Sequence, residues 1–287
     1  VGLNFIDTYH RSGLYPIPLP SGLGNEGAGI VEAVGERVED FSRGDRVACF
    51  SGPPGAYATH RLVAADRAIK LPDSIGSEMA TAITLKGCTA EFLIERCARV
   101  KASDTVLVHA AAGGVGSILV SWLKAIGATV IAHVGSAEKA AMARDFGDDH
   151  TLSGPMHDLV AEVRACTGGQ GAAVVFDGVG AASWTASLAS VAKRGLLVTY
   201  GNASGPVPPF RALDLSKAGS IFVTRPTLFD YVATPEELRA SAARLFEMIV
   251  GGHVPVRIGA RYPLSEAAQA HRDLEARRTT GSTILIP

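Results

Sequence analysis

The chain has 287 residues, 47% hydrophobic and 19% charged, with a net charge of −1, the make-up of a globular protein long enough for two cored domains. No basic field advertises nucleic acid or an anionic membrane, and no apolar run reaches the roughly 20 residues of a spanning helix. Four cysteines (Cys49, Cys88, Cys97 and Cys166) stand without paired spacing, as expected of reduced thiols in a cytoplasmic protein.

The chain opens at Val1-Gly2-Leu3-Asn4, as if entering a strand already under way, and is read as truncated there. From Val1 to about Leu71 short strands separated by turns are expected: Ile30 to Val34, Arg46 to Phe50 and Tyr57 to Leu62. This is the pattern of a small, largely antiparallel barrel. Glu78 to Arg96 reads as a helix broken at Gly87.

The most informative segment is Asp104 to Lys139. Asp104 to His109 reads as a buried strand, Ser117 to Ile126 as a helix stopped by Gly127, and Thr129 to Val134 as a second strand. Between the first strand and the helix lies Ala111-Ala112-Gly113-Gly114-Val115-Gly116. In a strand–turn–helix–strand unit this spacing is a dinucleotide fingerprint. Ala111 takes the tight-turn position, Gly113 lets the backbone approach a pyrophosphate, and Gly116 lets helix and strand pack closely. The helix start offers free N–H groups to phosphate. A small-residue turn without a ligand is the bland alternative.

The end of the second strand selects the dinucleotide. Where an NAD site places an acidic residue, this chain has Gly135 and Ser136, with Lys139 a turn later. A 2′-phosphate carries about two negative charges, so NADPH is the expected cofactor. Glu138 argues the other way, and Lys139 is alternatively a solvated helix residue.

Strands are then expected near His150 to Leu152, Ala173 to Asp177, Leu196 to Tyr200 and Ser220 to Thr224. The intervening helices are Ala137 to Phe146, Asp158 to Ala165 and Ala182 to Ala192. This alternation implies an α/β fold with a parallel, doubly wound sheet. Ligands sit beyond the carboxyl ends of such strands, which brings Gly201, Asn202, Val223, Thr224 and Arg225 to the cofactor. Past Arg225, Thr234-Pro235-Glu236-Glu237 starts a helix with a capping box. It buries Leu238, Ala242, Leu245, Phe246 and Ile249. A strand near Val254 to Ile258, a helix from Glu266 to Leu274 and a strand from Thr283 to Ile286 close the chain.

Ser103-Asp104, Leu107, Ala111-Ala112-Gly113-Gly114, Gly116 and Lys124 fall in the spacing of the quinone oxidoreductase (zeta-crystallin) signature, with Ser121 where that family usually has Gln. Asn4 to Tyr15, Gly201 to Gly205, Val223 to Pro226 and the terminal Gly281-Ser282 and Ile284 to Pro287 extend the likeness over nearly the whole chain. The sequence therefore resembles the zinc-free medium-chain dehydrogenases/reductases, most of all the bacterial NADPH:quinone reductases. The resemblance implies a GroES-like β-barrel catalytic domain (1–87 and 226–287), an inserted Rossmann NADP-binding domain (88–225), and a homodimer. Zinc-dependent cousins carry Cys-x-x-Asp, Gly-His-Glu and a later Cys; here Asn4 to Asp7, Gly24-Asn25-Glu26 and Leu85 stand there, so no metal is expected.

By the same resemblance Asn4 and Tyr9 line the nicotinamide end and hydrogen-bond the acceptor, with Tyr15 and Thr89 as weaker pocket candidates. Asn4 alternatively caps a turn, and Tyr9 alternatively only packs. Lys139 and Arg277 match basic residues near the adenosine phosphate. The aromatic or His usual after the third strand is replaced by Ser153-Gly154-Pro155, leaving Arg278 to compensate or to be a surface charge. The implied activity is hydride transfer from NADPH to a quinone. Alternatives are reduction of activated alkenes (enones or enoyl thioesters) and a non-catalytic, crystallin-like NADPH- or RNA-binding protein.

Overall fold

The computed structural model describes all 287 residues and divides into two compact units. One comprises Val1–Thr89, Tyr231–Gly252 and Val256–Pro287; the other comprises Ala90–Asp230 and His253–Pro255.

The first unit begins with β1 (Gly2–Leu3) and α1 (Phe5–Ser12). Short strands were expected here, and the helix arises because Asp7 folds back to accept the Asn4 N–H at 3.0 Å while Gly13, at φ 78°, ends it. Next come β2 (Gly27–Ile30), β3 (Arg46–Cys49) and β4 (Ile69–Lys70), an antiparallel sheet in that order. The strand expected to start at Ile30 ends there instead. Tyr57 to Leu62 forms no strand; the Tyr57 ring is drawn onto the bare backbone of Gly24, where a Cβ would stand 2.2 Å from it.

Helix α2 (Ser77–Glu91) runs through Gly87 unbroken and widens into a π-helical turn at Phe92–Cys97. Gly87 is not a stop: a Cβ there would lie 2.3 Å from Leu245 Cδ1, so glycine permits a close approach.

The second unit carries β5 (Thr105–His109), α3 (Gly114–Ala125), β6 (Thr129–His133), α4 (Ala137–Asp145) and β7 (His150–Leu152). It continues with α5 (Leu159–Cys166), β8 (Ala172–Asp177), α6 (Trp184–Ser190), β9 (Val191–Thr199), α7 (Ala212–Lys217) and β10 (Phe222–Thr224). Its six strands are all parallel, in the order β10-β9-β8-β5-β6-β7. The expected α/β doubly wound architecture is therefore present. Leu107, Ile131, Val175 and Leu197 pack against Leu159, Val163 and Trp184 to form the core. Helix α6 stops at Ser190, two residues early, because Val191 already pairs with Ala172.

A short α8 (Leu228–Tyr231) leads to α9 (Pro235–Val250). The capping box forms: Thr234 Oγ1 accepts from the Glu237 N–H at 3.2 Å and Glu237 Oε2 from the Thr234 N–H at 3.1 Å. Leu238, Ala242, Leu245 and Phe246 are buried as expected, with Met248 rather than Ile249 completing the face. Then β11 (Ile258–Pro263), α10 (Ala267–Glu275) and β12 (Ser282–Ile286) give the sheet β1-β12-β11. The strand expected at Val254 begins only at Ile258.

Candidate active site

The sheet order reverses between β5 and β8, and the crevice beyond the carboxyl ends there is where ligands of doubly wound folds bind. The glycine turn leaves β5 at that point. Its left-handed residue is Ala110, φ 50°, one position before the Ala111 assigned to the tight turn; Ala111 instead donates its N–H to the His133 carbonyl at 3.1 Å, tying the turn to β6. A Cβ on Gly116 would lie 2.2 Å from the Ala110 carbonyl oxygen and 2.9 Å from Ala111 Cα. Only glycine lets α3 start so close to the turn. Gly113 is the N-cap and brings no side-chain hydrogen bond to the first turn, so the N–H groups of Gly114, Val115 and Gly116 form the positive end of a twelve-residue helix. A pyrophosphate fits this cradle.

The neighbouring strand ends carry the other expected coenzyme residues. Gly135 is exposed after β6, and Ser136 caps α4, its Oγ accepting from the Lys139 N–H at 3.3 Å. That places Lys139, partly exposed, on the first turn of α4. Gly201 and Asn202 follow β9 and abut the β8 loop, where Ser204 donates its N–H to Val179 O at 2.8 Å. Val223 and Thr224 close β10, and Arg225 is exposed.

Beneath these ends lies a buried cluster that sequence reading missed: His109, His133 and Asp177, each the last residue of its strand, with Ser183 and Ser187 of the following segment. The Asp177 carboxylate accepts from Ser183 and Ser187 hydroxyls at 2.6 Å each. Ser187 Oγ therefore accepts from His109 Nε2 at 2.9 Å, and His109 Nδ1, left bare, accepts from His133 Nδ1 at 3.2 Å. Burial pushes both histidine pKa values down, so the rings are neutral. The cluster ties three strand ends together.

Asn4, Tyr9 and Arg277 belong to the first unit. Tyr9 is buried on α1, its ring 5.0 Å from that of Tyr15. Thr89 spends its hydroxyl on the Leu85 carbonyl at 2.7 Å. Arg277 is held left-handed at φ 58° just after α10, a conformation costing a non-glycine residue about 1 kcal/mol. Arg278 does not stand free to compensate for Ser153: it forks onto Asp273, whose pKa the Arg278, Tyr262 and Gln269 hydrogen bonds hold down to about 2.

The three positions that hold zinc in the cousins are wired to two buried carboxylates. Asn4 Nδ2 donates to Glu26 Oε2 at 2.8 Å and the Leu85 N–H to Glu26 Oε1 at 2.7 Å; Lys86 Nζ lies 3.4 Å from Glu26 Oε2. Asn25 Nδ2 donates to Asp7 Oδ1 at 2.9 Å. Amide nitrogens turned towards carboxylates and a leucine side chain cannot ligate zinc. Burial raises the Asp7 pKa to about 6, opposed by hydrogen bonds from Asn4, Asn25 and Tyr57.

A unit with these polar positions and a coenzyme cradle on a parallel sheet define an oxidoreductase of the medium-chain dehydrogenase/reductase class. Residues 1–73 match the model of the alcohol dehydrogenase GroES-like domain, and residues 114–247 that of the zinc-binding dehydrogenases. The chain is 50% identical to a quinone oxidoreductase of Pseudomonas aeruginosa, spanning 100% of this chain and 89% of that protein. The crystal structure of Escherichia coli quinone oxidoreductase complexed with NADPH superposes with a TM-score of 0.97 at 44% identity, over 100% of this chain and 89% of that one. A 2-haloacrylate reductase of a Burkholderia species is 41% identical over 100% of this chain and 88% of its own length. The chain belongs to the quinone oxidoreductase family.

Proposed function

We propose that the chain is a zinc-independent oxidoreductase that transfers hydride from NADPH to a quinone. The observation that carries this reading is the wiring of Asn4, Asn25 and Leu85 to Asp7 and Glu26. It replaces a Lewis-acid centre with hydrogen-bond donors, which suffice for an electron-poor quinone. NADPH, when bound, supplies the hydride. Ala112, Gly113, Gly114, Val115 and Gly116 hold its pyrophosphate; Gly135, Ser136, Lys139 and Arg277 serve the adenosine phosphate; Gly201, Asn202, Val223, Thr224 and Arg225 hold the remainder. Residues 88–225 act as the coenzyme domain, 1–87 and 226–287 as the catalytic one.

The chain's own chemistry is orientation and donation. Glu26 accepts only, so the Asn4 amide must turn its NH2 towards it, leaving the second N–H for an acceptor oxygen. Tyr9 offers a phenol O–H as a second donor. The likeness to a 2-haloacrylate reductase supports a second reading, in which the same donors polarise an activated alkene and hydride goes to its β-carbon. Steady-state assays separate the two: NADPH consumption with 1,2- or 1,4-quinones and not with enones is the expected result, and the reverse pattern replaces the first reading by the second. No helix is long and apolar enough to cross a membrane; a cytoplasmic location accords with that. A homodimer accords with the exposed edge strand β10, where Phe222 keeps 64% of its surface.

A further inference from the structure

The first unit contains a run of polar contacts that joins residues from opposite ends of the chain. Arg11 Nη1 stands 2.9 Å from His271 Nδ1, His271 Nε2 stands 2.8 Å from the Tyr57 hydroxyl, and that hydroxyl stands 3.2 Å from Asp7 Oδ2. The direction of every bond follows from one fact. Arginine only donates, so His271 Nδ1 is bare. Burial and the Arg11 charge push the His271 pKa down, so the ring is neutral and its proton is on Nε2. That proton goes to the Tyr57 oxygen, and Tyr57 in turn donates to Asp7. Burial and the Asp7 charge push the Tyr57 pKa up, which keeps its proton in place.

A proton relay needs exchange at both ends. Here Arg11, itself paired with Glu275 at 2.6 Å, closes the outer end, so the run holds rather than conducts. What it holds is Asp7, which also takes the Asn4 N–H at 3.0 Å and Asn25 Nδ2 at 2.9 Å. Resting on the functional reading above, we infer that Tyr57 and His271 are positioning residues for the reaction: the one-way chain from Arg11 through His271 and Tyr57 to Asp7 locks the first turn of α1, the turn that presents the Asn4 amide and leads directly into Tyr9. The groups facing Asp7 are Asn4, Asn25, Tyr57 and, by charge, Lys86 of α2; His10 lies one step away, 3.4 Å from Asn25 Nδ2. Ionised Asp7 holds all three donors by charge-assisted bonds; protonated Asp7 holds them more weakly and slackens the turn.

The test uses the full chain and the variants Tyr57→Phe, His271→Phe, their double, and His271→Gln, whose amide supplies one acceptor and one donor. In Tyr57→Phe, kcat/KM for the quinone falls by about tenfold or more at neutral pH, the loss of one hydrogen bond to a charged group. KM for NADPH stays put. The acid limb of the pH profile, near pH 6 in the parent because that is where Asp7 titrates, moves up by about one pH unit. The double variant is no worse than Tyr57→Phe, because both act through one acceptor, and His271→Gln retains most of the activity. An unmoved acid limb, or losses that multiply in the double variant, overturns the inference. Thermal unfolding gives a reading independent of turnover. The folded Asp7 pKa is raised, so its ionised form carries the penalty, and removing a donor costs stability above that pKa and little below it. Tyr57→Phe therefore lowers Tm more at about pH 8 than at about pH 5, whereas an equal loss at both contradicts the chain. Should the parent reduce no quinone, the functional reading fails and the unfolding comparison still decides; should Tyr57→Phe not fold, His271→Phe carries the same comparison.

Discussion

Lys139 sits on the first turn of α4 with its N–H bonded to Ser136 Oγ, and the residue after β6 is the exposed Gly135 rather than a carboxylate. A hydrogen bond to a charged group is worth about 1.5–3 kcal/mol, and partial exposure of Lys139 brings the expectation to the lower end. Lys139→Ala is therefore expected to reduce the NADPH-over-NADH preference about tenfold, read by coenzyme titration of variant and parent; an unchanged ratio removes Lys139 from the phosphate site. Asp7 shows what a residue costs when function places it. Its pKa, raised by burial from 3.8 to about 6, corresponds to roughly 3 kcal/mol, present as stability below the lower value and lost as pH rises through the upper one. Lys139 stood out in the sequence because its position one turn after the second strand marks it, and Asn4 because the family resemblance reaches it. Tyr57 and His271 did not, because a hydrogen bond across 214 positions has no local signature.

Elements were legible where burial is apolar and local. The strand–turn–helix–strand unit from Thr105 to His133 and the capped helix α9 follow from periodicity and capping. Helix α1 escaped notice because it is only eight residues long and two of its three buried residues, Asp7 and Thr8, are polar, so two turns give periodicity little to count. Gly87 misled in the opposite sense: its reason is Leu245, in a helix far along the chain. At the start of α3 a glycine is required by backbone rather than by a movable side chain. Gly116→Ala puts a methyl 2.2 Å from the Ala110 carbonyl oxygen, and overpacking against fixed atoms costs about 1–3 kcal/mol. The expected outcome is at least tenfold weaker NADPH binding by fluorescence titration; binding at the parent's affinity would show that the cradle is not at this turn.

At the scale of the molecule, the α/β class was readable because a parallel sheet announces itself by alternation. The pairing of β1 with β12 was not, since its register is set by contacts between the chain's two ends. On the proposed homodimer through the edge strand β10, the parent is expected to sediment as a dimer and Phe222→Lys, placing a charge on the exposed edge, as a monomer; an unchanged species would move the interface elsewhere. The central claim is hydride transfer from NADPH to a quinone by donors alone, with Asn4, Asn25 and Leu85 where the cousins hold zinc. The most direct measurement is the rate of NADPH oxidation by a 1,4-quinone before and after exhaustive dialysis against a metal chelator. Equal rates are expected; a rate abolished by the chelator and restored by zinc, or no oxidation of NADPH at all, would contradict the account.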